Sequence, residues 1–455
     1  MKPCGNRNIV VNYWHLPLGD LVMRLARLFG FSVTVYFISA CSGGAKLATN
    51  GQATGGSATN GGASNAGGST DMGGSSTDDG STMTGGTPST LGTTTSGGMK
   101  AFSAGGNNVC TLLSSGSILC WGYNFHGELG NGTTATPIGC SCSTTPAPVS
   151  NITNSTALAV GGDHTCTTLS DGSVQCWGSN IDGQLGNNTT TDSSVPVTVN
   201  GITNPVAVAS GLSHTCALLS DGSIQCWGYN AMGQLGNSSV DNSSVPTPVV
   251  GITSAVAIAA GTYHNCAVLS DGSVKCWGNN IDGQLGNGST TPSPVPIEVN
   301  GITNAVAIAG GYGHSCAVLS NGTVQCWGYN DYGQLGNGSL RDSAIPVSTS
   351  GITNAVAITT GQFHACALLS VGSIKCWGEN ANAGQLGDGT MTDYIIPISV
   401  AGITDAVSIT VGKYHSCALL TDSTVKCWGD NSYGQLATDL TATPNSPVPI
   451  TVGGL

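Results

Sequence analysis

Seven copies of one cysteine-marked unit, about fifty residues each, fill the chain from the hundredth residue onward. The pairs are Cys110 with Cys120, Cys166 with Cys176, Cys216 with Cys226, Cys266 with Cys276, Cys316 with Cys326, Cys366 with Cys376 and Cys417 with Cys427, each followed by Trp-Gly. First cysteines of successive copies differ by 56, 50, 50, 50, 50 and 51 residues. Self-similarity at such a period marks a repeat architecture, in which each unit buries its faces only against its neighbours. A catalytic centre needs a group once and in an asymmetric setting, so a motif kept in every copy builds a scaffold.

Of 455 residues only 7% are charged and 69 are Gly, which suits short strands joined by tight turns. From residue 100 onward six Lys and Arg face nineteen Asp and Glu, a net charge of −13. Such a surface repels phosphate backbones, so nucleic acid is not an expected partner.

Eighteen cysteines imply an oxidising compartment or metal. The N-terminus decides for export. Arg24 and Arg27 precede an apolar run from Leu28 to Ile38, and Ile38-Ser39-Ala40-Cys41 resembles the lipobox of bacterial lipoproteins, with Cys41 as the acylated residue. Met23 gives a shorter basic region before that run than Met1 does, and makes the better start. The expected division is a signal region over 1–40, a lipid-anchored linker over 41–98 and a seven-repeat domain over 99–455. The linker is nearly all Gly, Ser, Thr, Ala and Asn, with too little apolar surface to offset the entropy of ordering it. As a flexible coil it reaches roughly 40 Å. The expected location is the outer membrane or cell surface, with the periplasm as the alternative, and contact with a membrane only through the anchor.

Within the third copy, Ala207–Ala209, His214–Leu219, Ser223–Gly228 and Val245–Val250 read as four short strands. Ser220-Asp221-Gly222 suits a three-residue hairpin loop that sets Cys216 opposite Cys226. Period two puts His214, Cys216 and Leu218 on one face and Thr215, Ala217 and Leu219 on the other, so both faces are buried. Seven such sheets stacked face to face predict an all-β, seven-bladed β-propeller. Its seam is expected between the end pieces, Lys100–Gly105 and Val448–Leu455.

The pattern Gly-x-x-His, then Ala-Leu, Trp-Gly-x-Asn and Gly-Gln-Leu-Gly resembles the regulator of chromosome condensation repeat family over about 350 residues. The resemblance implies a seven-bladed propeller, with members that act as a nucleotide exchange factor for a nuclear GTPase or as secreted inhibitors of β-lactamase. This chain departs from the pattern in its Cys pairs, in Asn108 for the first His, in an extra residue at Asn382-Ala383 and in Thr421-Asp422-Ser423 for the Gly turn. No long wedge-like insertion interrupts a copy. With the acidic surface, that argues against exchange activity.

Paired cysteines across a hairpin suit disulfides better than a metal shell, which would need a fourth ligand besides the His and two Cys of a copy. No metal and no cofactor are expected. His164, His214, His264, His314, His364 and His415 share one repeat position, where a donor to a neighbouring loop carbonyl is expected rather than a general base. The seven Trp read as packing between blades. Cys140-Ser141-Cys142 stands apart; as a disulfide it is a strained ring, either redox-labile or pinning an insertion loop.

What varies between copies lies at one end of the hairpins, opposite the Asp-Gly turns. These positions carry Tyr123, Phe125, Tyr229, Met232, Tyr263, Tyr312, Tyr329, Tyr332, Phe363, Tyr414 and Tyr433. Of nine Tyr and three Phe beyond residue 100, only Phe102 and Tyr394 fall elsewhere, so the aromatics gather where a rigid recognition surface would hold them. The expectation is an exported, non-catalytic propeller that binds a protein through this rim. A carbohydrate-binding or surface-adhesion module is the alternative. Inhibition of β-lactamase, nucleotide exchange and hydrolysis in the central channel rank below it.

Overall fold

The computed structural model of the chain describes residues 98–134, 142–440 and 444–455. The expected signal region, linker, Cys41 and Cys140 lie outside the described residues. Seven four-stranded antiparallel sheets follow one another along the chain, and no helix occurs among the described residues. They form blades 1 to 7, at 99–148, 155–198, 205–248, 255–298, 305–348, 355–399 and 406–451. In each, the strands stand side by side in sequence order.

First strands touch the first strands of both neighbouring blades, and Met99–Ala104 of blade 1 touches Ala406–Val411 of blade 7, which closes the ring. The seven-bladed propeller expected from the repeat is therefore present. One detail differs. Both end pieces stay within their own blades, so no strand crosses the seam. Packing seals it instead: Phe102, Val109 and Trp121 of blade 1 share a core with Leu419, Val425 and Leu436 of blade 7. Trp121 Nε1 also donates to the Gln435 carbonyl at 3.0 Å, and the Ala104 amide donates to Thr410 Oγ1 at 2.9 Å.

In blades 2 to 7 the second strand is buried along its whole length, as in His214–Leu219, because its two faces meet two different neighbours. Leu218 packs on blade 4 side chains such as Ile258, while Ala217 and Leu219 pack on blade 2 residues such as Leu185. Cys216 stands opposite Cys226 in the register that the three-residue loop dictates.

All seven disulfides expected across the hairpins form, each between residues ten apart. Cys110 is bonded to Cys120, Cys166 to Cys176, Cys216 to Cys226 and Cys266 to Cys276. Cys316 is bonded to Cys326, Cys366 to Cys376 and Cys417 to Cys427. Each closes a loop worth up to about 3 kcal/mol through the entropy of the unfolded chain.

Trp-Gly explains how one blade grips the previous one. At this dipeptide the third strand bulges out of register, and Gly228 adopts a φ of 101°. A Cβ there would lie 2.5 Å from the Ser213 carbonyl oxygen, so only Gly fits. The bulge accompanies a wholly buried Trp227, whose Nε1 donates to the Gln184 carbonyl of blade 2 at 2.9 Å. The same bond recurs at all seven interfaces.

Candidate functional site

His214 pairs with Gly228, so the loops before the second strand and after the third leave each blade at the same end, opposite the Asp-Gly turns. Here the Gly-x-x-His loops carry a belt of backbone hydrogen bonds from blade to blade. Gly106 N donates to Gly161 O at 3.0 Å, Gly162 N to Gly211 O at 3.0 Å, Thr262 N to Gly311 O at 3.0 Å, and Lys413 N to Gly105 O at 3.0 Å. A Cβ on Gly211 would stand 2.2 Å from His214 Cε1 and 2.6 Å from the Gly261 carbonyl oxygen. The repeated Gly is thus a condition of blade-to-blade approach.

Beneath the belt lie the six histidines, all fully buried. The sequence predicts donation to a loop carbonyl; instead, in four of the six, Nε2 meets the side chain one blade on. The pairs are His164 with Thr215 Oγ1 at 2.8 Å, His214 with Asn265 Oδ1 at 3.1 Å, His264 with Ser315 Oγ at 2.8 Å and His364 with Ser416 Oγ at 3.1 Å. That residue in turn donates to the Gln carbonyl already holding a Trp indole, as Ser315 Oγ does to Gln284 O at 3.0 Å. Asn265 fixes the proton: its Oδ1 can only accept, so the imidazole carries hydrogen on Nε2. Burial pushes these imidazoles down, to about 3 for His164, His264, His314 and His364 and to about 4 for His214 and His415. They are neutral structural groups at ordinary pH. His314 and His415 face Ala365 and Val109 at the corresponding place, and neither nitrogen of either ring has a partner among the described residues.

Above the belt, the aromatic positions form clusters that cross blade boundaries. Tyr123 stacks beside Phe125 and meets the edge of Tyr433 at 5.0 Å. Tyr229 lies 6.1 Å from Tyr263. Phe363 contacts Tyr312, Tyr329 and Tyr332, with centroids 5.3, 5.8 and 4.9 Å apart. Lys413 Nζ sits over the Tyr414 ring at 5.4 Å. Phe125 and Tyr312 are the exposed rings, at 55% and 38%. The others, and Met232, are half-buried.

Carboxylates share this end, where the sequence pattern points only to the aromatics. Glu128 replaces the Gln of Gly-Gln-Leu-Gly in blade 1 and is fully buried. Its Oε2 accepts from the His126 amide at 2.9 Å, and Oε1 has no partner among the described residues. Burial, with help from Asp163, pushes it up to about 7. Glu379 rises to about 7 through burial and Asp393, and Asp282 to about 6 through burial, Asp342 and Asp331. His126 Nδ1 and Asp192 Oδ2 lie 2.8 Å apart, a bridge between blades 1 and 2.

The Asn of Trp-Gly-x-Asn turns inward. Asn330 is buried; its Oδ1 accepts from the Leu335 amide, and its Nδ2 donates to the Ser339 and Arg341 carbonyls at 2.9 Å. Asn180, Asn230, Asn280 and Asn380 do the same. These side chains shape loops and are not offered to a ligand. Cys142 is disulfide-bonded.

A family model described as the RCC1-like domain matches residues 62–400, and one described as the regulator of chromosome condensation (RCC1) repeat matches residues 406–435. The chain belongs to the RCC1-like family. Among solved structures, human WBSCR16 is similar at 21% identity and a TM-score of 0.66, covering 74% of this chain and 94% of its own. Yeast RCC1 (Prp20) bound to Kap60 matches at 20% identity and 0.66, covering 79% of this chain and 84% of its own. Prp20p from Saccharomyces cerevisiae, whose binding to Gsp1p and histones was studied with its structure, matches at 22% and 0.66, over 74% and 86%. At these identities the likeness to these RCC1-like rings is one of fold.

Proposed function

We propose that this RCC1-like ring is an exported, lipid-anchored, non-catalytic module that binds a protein partner through the aromatic end of its blades. One observation carries the reading: the scaffold repeats in every blade, whereas the rings at one mouth differ from blade to blade and touch across blade boundaries. Clustered Tyr and Phe give large amphipathic area at low entropic cost, which protein recognition uses. The yeast relatives' binding of proteins accords with it. Against a glycan-binding reading stands the inward turn of the loop Asn side chains.

Export is supported by the Cys41 lipobox and by seven disulfides, which require an oxidising compartment. Fatty-acid labelling of the cells should mark the wild-type chain and not Cys41→Ala; equal labelling removes the anchor from the proposal. For the rim, affinity capture with the full chain is compared with a Tyr263→Ala, Phe363→Ala, Tyr414→Ala variant. Loss of a captured protein supports the rim, and equal capture by both removes it.

A further inference from the structure

The mouth is uneven. Its richest sector spans blades 4 to 6, where Tyr312, Tyr329, Tyr332 and Phe363 form one contiguous patch. Carboxylates surround that patch. The Tyr329 hydroxyl donates to Asp331 Oδ2 at 3.0 Å, and the Asn330 amide donates to Asp342 Oδ1 at 2.7 Å. A Cβ built on Gly313 would lie 2.8 Å from Asp282 Oδ2 and 3.2 Å from Tyr329 Cβ, so the Asp282 carboxylate and the base of the Tyr329 side chain flank the same glycine. Glu379 acts on Tyr332 from blade 6. Asp331 and Asp342 raise the proton affinity of Asp282, and Asp331 raises that of Asp342, so like charges crowd together here. The cations of the region are Arg341, next to Asp342 in the chain, and Lys413, which lies over Tyr414.

A second feature points to an occupant. Gln334 is fully buried; its Oε1 accepts from the Tyr332 amide at 3.0 Å, and its Nε2, like those of Gln234 and Gln284, has no partner among the described residues. In blades 6 and 7 the equivalent Nε2 atoms of Gln385 and Gln435 donate to Glu379 and Asp430, the side chains that follow Trp-Gly. By that equivalence Gln334 Nε2 is aimed at the mouth beneath Tyr329. The sector therefore offers flat rings and carboxylates for a planar cation, and beside them a donor for a carbonyl. A small inorganic cation uses neither ring nor donor, whereas a peptide carrying arginine uses all three.

Building on the rim reading, we propose that the blade 4–6 sector docks an arginine-bearing segment of the protein partner, its guanidinium lying on Tyr329 and Phe363 and pairing with Asp331 and Asp342. Lysine is the poorer fit, because an ammonium lacks the planar fork that covers a ring while bridging two carboxylates.

The test uses the full chain and three fluorescent heptapeptides in which Gly alternates with Arg, Lys or the neutral isostere citrulline, read by anisotropy. Expected are binding of the Arg peptide, at least about tenfold weaker binding of the citrulline peptide and intermediate binding of the Lys peptide. Asp331→Asn with Asp342→Asn, and separately Tyr329→Leu with Phe363→Leu, should each weaken the Arg peptide at least about fivefold. Equal binding of Arg and citrulline peptides overturns the proposal, as does an Asn double variant that folds and binds like wild type. Should that variant not fold, wild-type affinity for the Arg peptide must fall between about 0.02 and about 0.3 M salt; a flat response overturns the proposal. Partner capture separates the two levels. If the aromatic variant loses the partner but the folded Asn double variant keeps it, the arginine assignment falls alone. If both keep it, the rim reading falls with it.

Discussion

Ala365→Ser should make the ring more stable. At four interfaces an imidazole Nε2 meets a Thr, Ser or Asn side chain of the next blade, which donates onward to a Gln carbonyl. Between blades 5 and 6 the relay is interrupted. Ala365 occupies the place, His314 Nε2 is buried without a partner among the described residues, and Ala365 brings no hydroxyl to the Gln334 carbonyl that holds Trp377 Nε1 at 2.8 Å. A serine hydroxyl there would accept from His314 and donate to Gln334, as Ser315 does one blade earlier. Two net hydrogen bonds of about 0.5 to 1.5 kcal/mol each, less the cost of burying a hydroxyl, give a gain of about 1 to 2 kcal/mol. The reverse change, Ser315→Ala, strands His264 Nε2 and should cost about 1 to 3 kcal/mol. Urea unfolding at neutral pH with the disulfides intact measures both. If Ala365→Ser lowers the midpoint or leaves it unmoved while Ser315→Ala is neutral, the relay contributes nothing and the reasoning fails.

Glu128→Gln restores the residue that the other six blades carry. Because the folded carboxyl titrates near 7 and the free one near 4.5, Glu128 costs stability as pH rises through that window. The variant should be more stable than wild type by about 1 to 3 kcal/mol near pH 8, with the difference vanishing below pH 4.5; an equal gain at both ends contradicts the titration. The buried histidines act in the opposite sense. Their folded values of about 3 to 4 lie below the free value of 6.5, so the unfolded chain binds more protons and stability falls as pH drops from 6.5 toward 4. Six of them outweigh the offsetting gain from Glu128, Glu379 and Asp282, so denaturation midpoints should decline across that range; a flat profile contradicts their burial in the neutral form. Gly211→Ala should destabilise by about 3 kcal/mol or more, since backbone and imidazole both occupy the site. Gly453→Ala, where a Cβ meets nothing within 4 Å, should be tolerated, and equal thermal shifts for the two would refute the close-approach account.

The blades, their hairpin register and the seven disulfides are legible in the sequence because the repeat states them seven times, with turn residues and cysteines at fixed offsets. The share of the Trp indoles in packing is legible for the same reason. What the sequence hides depends on neighbours a whole repeat away. The partner of His264 is Ser315, and only stacking geometry says that it stands between the ring and the Gln284 carbonyl. The seam is hard to read because the end segments match the last and first strands of a repeat without saying what each meets; each pairs within its own blade, and Met99–Ala104 packs on the first strand of blade 7. The carboxylates of the mouth are hard to see because single exchanges such as Glu128 for Gln resemble drift within a repeat. That exchange is nonetheless the one visible sign of asymmetry at this position.

Since every sheet is spun from a single uninterrupted stretch of chain, the junction between the last and first sheets is held by side-chain packing and an indole hydrogen bond of the same kind as at the other six, without a peptide linker. A permuted gene that opens the circle at another inter-sheet loop and ties the old ends together would code for the same set of contacts. Duplication in frame can likewise hand a whole module to a new position without breaking any strand pairing, which leaves the loops at one end free to diversify while the girdle beneath them stays fixed.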